Sequence, residues 1–286
     1  MNADLAASYA LCRQMARRAA SNFYYSFRLL PQSLRPAMWA LYAFMRRTDD
    51  LGDSDQSVDR RRAALGAWRD QLHAALAGRA GEPLLVAVAD TVSRYRIPPQ
   101  HLEAAIDGVE MDLAPVRFRS FAELETYCER VASAVGLACL HVWGFRGAEA
   151  LEPARQCGIA FQLTNILRDL GEDAARGRIY LPLEDLERFG YSESELLAGR
   201  RSTRFRELAR FEIARAEQFY RQGAELAAWL APPGRRIFAA MWHTYHGLLG
   251  KIKRCDGDVW TRRIRLSRWQ KLRIAAQSLL VGRGPK

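Results

Sequence analysis

Gln162, Asn165, Asp169 and Asp173 recur at intervals of three and four residues. At about 100° per residue, such spacings put all four on one face of a helix. Ile159, Leu163, Ile166, Leu167 and Leu170 fall on the other side and supply a packing face. Two carboxylates one turn apart, led by side-chain amides, suit a hard divalent cation. Mg²⁺ takes oxygen ligands and is usually held by one or two carboxylates plus substrate phosphates. One acidic i,i+4 pair is common on a solvated helix face, but the chain carries a second. Asp49 and Asp53 close the apolar run Ala40–Met45, with Arg46 just before them, as Arg168 stands before Asp169. Two arginine-led Asp-x-x-x-Asp pairs facing each other across a bundle would clamp metal ions that bridge a diphosphate.

The second stretch continues as Arg176-Gly177-Arg178-Ile179-Tyr180-Leu181-Pro182. Together these motifs resemble the squalene/phytoene synthases, which join two prenyl diphosphates head to head, and the likeness runs from about residue 18 to about residue 280. The resemblance implies an all-α fold, one isoprenoid-synthase-type helical bundle over residues 1–286 around a central cavity. It implies that Asp49, Asp53, Asn165, Asp169 and Asp173 hold two or three Mg²⁺ ions, Mn²⁺ being a possible substitute. Tyr127, Arg46, Arg168, Asp49 and Asp169 become the expected catalytic groups. Ser21, Tyr24, Tyr42, Arg46, Gln162, Asn165, Arg168, Arg178, Tyr180 and Tyr245 become the expected substrate contacts. The family's His-Ser-Lys pattern is absent from the Ser21–Phe27 region.

Phe23-Tyr24-Tyr25-Ser26-Phe27 with the Arg-Gly-Arg-Ile-Tyr-Leu-Pro segment looks most like the bacterial presqualene diphosphate synthases of hopanoid pathways. The first expectation is therefore two farnesyl diphosphates joined to presqualene diphosphate. Phytoene synthase acting on geranylgeranyl diphosphate is the alternative. Squalene synthase completing the reduction with NADPH is another, and no Gly-x-Gly-x-x-Gly accompanies it here. A terpene cyclase or chain-elongating prenyltransferase would also use carboxylate-bound Mg²⁺. A non-catalytic basic lipid-binding protein would explain the charge but leave both aspartate pairs as coincidence.

The elements that must position these groups read as helices over 4–28, from 33 to the first aspartates, 58–78, 83–96, 101–111, 121–144, 204–230 and 233–254. Sustained period-two alternation is missing. Gly52 breaks its run just before Asp53 and predicts a looser turn there. Near the start of the 101–111 helix's acidic end, Asp107 is the candidate cavity carboxylate, with Glu110 and Asp112 as local acidity. Small residues Ala132, Ser133, Ala134, Gly136 and Ala138 after Tyr127 leave room for an isoprenoid tail or for close helix packing. His243 and His246 lack a third ligand in the sequence and are expected to be structural.

The net charge of +11 points to an anionic partner, while no zinc-finger spacing or aromatic RNP-like strand supports nucleic acid. Five scattered cysteines without a Cys-x-x-Cys pair suggest buried thiols in a reducing compartment. No apolar signal region opens the chain, and its most apolar stretch, 131–145, is too short to span a bilayer. The expected location is the cytoplasm, with the basic amphipathic segment from Arg262 to Leu280 resting on the anionic inner face of the membrane. The expected partners are prenyl diphosphates and a downstream isoprenoid-pathway enzyme.

Overall fold

The apolar periodicity resolves into helices in a computed structural model that describes residues 3–19, 26–260 and 264–280. In chain order they are α1 (Ala3–Ala19), α2 (Arg35–Gly52), α3 (Val58–Leu76), α4 (Pro83–Tyr95) and α5 (Gln100–Met111). Then come α6, α7 (Leu151–Ala175), α8 (Leu183–Arg188), α9 (Glu193–Leu197), α10 (Thr203–Ala224), α11 (Pro232–Arg254) and α12 (Arg268–Leu280). The helix α6 runs through Phe121–Cys128, a π-helical stretch Glu129–Ser133, and Ala134–Trp143. Among the described residues the only β pairing is an isolated antiparallel bridge, Phe145 with Leu230.

Local chemistry sets the ends. Pro36 starts α2 where a missing N–H costs nothing. Ser120 and Ser202 cap α6 and α10 by accepting the N–H of Glu123 and Phe205. The helix expected over 4–28 is described as far as Ala19, with a 3-10 turn at Phe27–Leu29. Ser21 and Tyr24 lie outside the described residues. The helix expected over 204–230 stops at Ala224 and is followed by the short turn Leu226–Trp229.

Two groups of buried side chains make the interior. One gathers α1 to α5 with the C-terminal half of α6, including Phe44, Trp68, Leu72, Leu85 and Trp143. The other gathers α7 to α11 with the start of α6, including Tyr127, Leu163, Phe205, Tyr220 and Leu249. Phe161 and Trp242 pack against both. A cavity of about 490 Å³ lies along this seam.

The walls approach one another at glycines. A Cβ on Gly158 of α7 would stand 2.5 Å from Ser133 Cα and 2.7 Å from its N, and one on Gly108 of α5 would stand 2.5 Å from Val131 Cγ1. The π segment of α6 is therefore held between two glycine-bearing helices, and Ser133 Oγ donates to the Arg155 carbonyl across the same gap. Gly52 follows the same rule. Its Cβ position is taken by Val109 Cγ1 at 2.3 Å, so this glycine marks a close approach of α2 and α5 rather than a loose turn.

Candidate active site

The cavity is built on α2, α5, α6, α7 and α11. Met38, Leu41, Tyr42, Met45, Arg46 and Asp49 line it from α2, which is the i, i+3, i+4 stripe that a helix presents to one neighbour. Ala154, Cys157, Gly158, Phe161, Gln162 and Asn165 line it from α7. Its acidic end is where the last turns of α2 and α7 meet. From Asp49 back to Met38 the wall climbs eleven residues, about 16 Å, and from Asp169 back to Ala154 fifteen residues, about 22 Å, at 1.5 Å per residue. The far end is apolar, with Phe27, Trp143, Leu226 and Phe238.

The ends of α2 and α7 that carry the two aspartate pairs are linked through Asp112, which repels both Asp49 and Asp173. Arg178, on the loop after α7, reaches across to Asp53 with 4.0 Å between Nη2 and Oδ1. The negative charge at this mouth shows in its acidities. Loss of solvent pushes the Asp49 carboxyl up to about 7, with repulsion from Asp53, Asp50 and Asp112 adding to it and Arg46 opposing it. Loss of solvent followed by repulsion from Asp169 pushes Asp173 up to about 6.

Asp112, at the end of α5, is the carboxylate that sequence reasoning missed. Its Oδ2 accepts the Tyr127 hydroxyl at 2.9 Å and its Oδ1 accepts the Tyr180 hydroxyl at 2.8 Å. Burial raises its pKa above the usual carboxylate value, and the two hydroxyls and Arg178 oppose that rise. Tyr127 and Tyr180 are themselves pushed far up by burial and by Asp112, so both stay protonated. Their rings lie 5.4 Å apart. Asp107, the expected cavity carboxylate, does not line the cavity. It pairs with Arg69 of α3 at 2.8 Å, and the same guanidinium takes Glu110 at 3.1 Å. The signal was present: Ala105, Val109 and Asp112 line the cavity at i, i+4 and i+7, a register that excludes Asp107.

The arginines are engaged differently from expectation. Arg168 Nε donates to Asp169 Oδ1 at 2.7 Å, and a second guanidinium N–H reaches Oδ2, so the pair next to each other in sequence forms a fork. Arg46 lies on the cavity wall but pairs with Asp50 at 2.6 Å. Each must exchange a carboxylate for a diphosphate to serve a substrate. Tyr245 stacks on Phe161 with ring centroids 4.5 Å apart and hydrogen-bonds Asn165. Tyr42 meets Phe27 edge-on at 6.1 Å.

The donors suit Mg²⁺. Asn165 Oδ1 is buried and without a hydrogen-bond partner, although its Nδ2 donates to Gln162 Oε1 at 3.3 Å. A buried amide oxygen left open near carboxylates is a hard donor of the kind that would suit a divalent cation. Among the described residues no three His, Cys, Asp or Glu side chains converge to enclose a metal. An ion here would therefore be completed by substrate oxygens and water, the ordinary mode for Mg²⁺.

His246 bonds to Glu217 Oε2 at 2.8 Å and meets Trp242 at a tilt of 32° with ring centroids 4.5 Å apart, outside the cavity lining. None of the five cysteines forms a disulfide; Cys12, Cys128 and Cys157 are buried and Cys139 and Cys255 are half-buried. Among the described residues no helix is long and apolar enough to cross a membrane.

Comparison with known proteins agrees with this geometry. The family model described as squalene/phytoene synthase matches residues 16–270. A phytoene synthase of Arthrospira platensis is 41% identical over 278 residues, covering 93% of this chain and 90% of that one. A 15-cis-phytoene synthase of Synechococcus elongatus is 38% identical, covering 94% and 92%. Among solved structures, a dehydrosqualene synthase superposes with a TM-score of 0.87 at 28% identity over 96% of both chains. Squalene synthase HpnC from Alicyclobacillus acidocaldarius gives 0.85 at 28% identity over 90% of this chain and 97% of that one. With a family model matching residues 16–270 and relatives 41% and 38% identical over about nine-tenths of the chain, the chain belongs to the squalene/phytoene synthase family, the prenyltransferases that condense two prenyl diphosphates head to head.

Proposed function

We propose that the protein is a Mg²⁺-dependent phytoene synthase, condensing two geranylgeranyl diphosphates without a reductant. The observation that carries this reading over presqualene diphosphate is identity to two phytoene synthases, 41% and 38% across about nine-tenths of both chains. The solved dehydrosqualene and squalene synthases stand at 28%. The geometry is compatible: sixteen main-chain bonds of a geranylgeranyl tail reach about 19 Å at about 1.2 Å per bond, within the span of about 22 Å along the α7 wall.

Asp49, Asp53, Asn165, Asp169 and Asp173 would hold the metal ions. Bound Mg²⁺ supplies charge neutralisation for the departing diphosphate. Arg178 and Arg46 share that charge, and Arg168 does so once it releases Asp169. The first C–O bond breaks, the C2=C3 double bond of the second substrate attacks the allylic cation, and proton loss closes a cyclopropane. The second C–O bond then breaks, and rearrangement with loss of another proton gives the C40 hydrocarbon. Two protons leave with two diphosphates, so the electrons balance without NADPH. Asp112 is the proton acceptor within reach, with the Tyr127 hydroxyl as its relay to the cavity. The stacked faces of Phe161 and Tyr245 border the cation, and the apolar lining keeps water from quenching it.

The test is incubation of purified protein with Mg²⁺ and either farnesyl or geranylgeranyl diphosphate, without NADPH, with products identified by mass spectrometry. Phytoene from the C20 substrate is expected. Presqualene diphosphate from the C15 substrate with no C20 turnover would move the assignment to the hopanoid branch, and no condensation from either would overturn the enzyme reading.

A further inference from the structure

The two most exposed large apolar side chains of the described residues are neighbours on α12. Trp269 is 81% exposed and Leu272 is 60% exposed. Three residues apart, they project from one side of the helix. Ile274 and Ser278 are turned inward, and Ile264 and Leu266 are buried just ahead of the helix. Leu266 lies beside Gly247 of α11, and Lys251 donates to the Arg265 carbonyl at 2.5 Å. The helix is thus seated on α11 by one face and presents Trp269 and Leu272 to solvent on another.

The charge around this face has one sign. From Val259 to Lys286 the sequence holds Arg262, Arg263, Arg265, Arg268, Lys271, Arg273, Arg283 and Lys286, and no aspartate or glutamate. Arg265 and Arg273 are exposed beside the apolar pair. The last turn of α11 adds Lys251, Lys253 and Arg254. An indole and a leucine projecting from a basic, acid-free helix match the boundary of an anionic bilayer, where the apolar side chains enter the acyl edge and the cations meet phosphate head groups.

We infer that α12 is a membrane-docking surface, with Trp269 and Leu272 inserting into an anionic bilayer and Arg265 and Arg273 pairing with its phosphates. Trp260, just ahead of this segment, packs against Gly171 on the side of α7 opposite Asp169 and Asp173. The inference does not depend on which prenyl diphosphate is used, and its test needs no turnover.

The experiment is flotation of the full chain with vesicles of phosphatidylcholine alone or mixed with phosphatidylglycerol. Binding is expected only to the anionic vesicles, and it should weaken as salt rises from about 0.1 M to about 1 M, which shortens the screening length from about 10 to about 3 Å. The double variant W269A/L272A should lose roughly tenfold or more of the partition, and R265Q/R273Q should flatten the salt dependence. Measuring condensation with dispersed substrate for both variants separates docking from folding: activity within about twofold of wild type is expected, as neither pair lines the cavity. Absence of vesicle binding, equal binding of W269A/L272A, or conversion of a dimer to a monomer by W269A/L272A would overturn the inference, the last by assigning this face to a second copy of the chain.

Discussion

Replacing Gly158 by alanine should both destabilise the protein and disable it, because the added carbon has no room on a wall of the cavity. The new Cβ would lie 2.5 Å from Ser133 Cα and 2.7 Å from Ser133 N, where ordinary contact begins at 3.4 Å, so α6 and α7 must part by about 0.9 Å. Both obstructing atoms are backbone, and no rotamer change relieves them. Overpacking of this kind costs about 2 kcal/mol, or about 6 °C in Tm at about 3 °C per kcal/mol for a chain of this size. The same separation moves Tyr127 and its relay to Asp112 away from Asn165 and Asp169, and about 1 Å of misplacement is enough for roughly a hundredfold loss of kcat. Gly66 of α3 is the control, since its Cβ would meet nothing within 4 Å. G66A should raise stability by about 0.5–1 kcal/mol through the ordinary helix preference for alanine. Differential scanning fluorimetry and steady-state condensation assays on both variants decide the matter. A G158A protein that melts at or above wild type and turns over normally would refute the close approach of α6 and α7.

Other expectations follow from the mouth and its surroundings. D112N and Y127F should each lower kcat by roughly a hundredfold or more with little change in KM, while D107N should stay near wild type in kcat, because its partner is Arg69. Mg²⁺ with inorganic diphosphate should raise Tm more at about pH 8 than at about pH 5. The raised carboxyls of Asp49 and Asp173 favour the metal-free fold while protonated, and that contribution is lost as pH climbs through about 6 and about 7, where a cation gains its ligands. D49N/D173N should erase the pH dependence of that shift. Burial raises the thiols of Cys12, Cys128, Cys139 and Cys157. Iodoacetamide near pH 8 should therefore leave these four unmodified in the native protein and label them after denaturation, as mass mapping would show.

The helices that carry the aspartates were legible because two demands fall on the same periodicity. Along α2 and α7 one stripe must pack and another must bear ligands, and a 3.6-residue repeat records both. Asp112 was not legible as a ligand-side group because it stands one position beyond α5, where the choice among three nearby acids depends on which neighbour each faces. Nor did the sequence announce the π segment of α6, since Glu-Arg-Val-Ala-Ser has nothing that forbids an α-helix and the extra residue is imposed by packing between Gly108 and Gly158. The role of Gly52 was hidden for a similar reason: local propensity reads it as a weakness, whereas Val109 occupying its side-chain position makes it a requirement. Arg168 shows the limit for charges, because a guanidinium free to seek a diphosphate also has a carboxylate one residue away.

These features together explain why the mouth is assembled from groups that oppose one another. Asp49 is crowded by Asp53, Asp50 and Asp112, Asp173 by Asp169, and Asn165 buries an oxygen with no donor. Once ionised, these groups oppose folding of the metal-free chain, and the proposed cation with its anionic substrate would offset them. The opposing pairs, Arg168 on Asp169 and Arg46 on Asp50, hold two positive groups in place until a diphosphate competes for them. On the proposed function, a cation would relieve repulsion at the carboxylates and a diphosphate would draw the arginines away from them, so each would favour binding of the other.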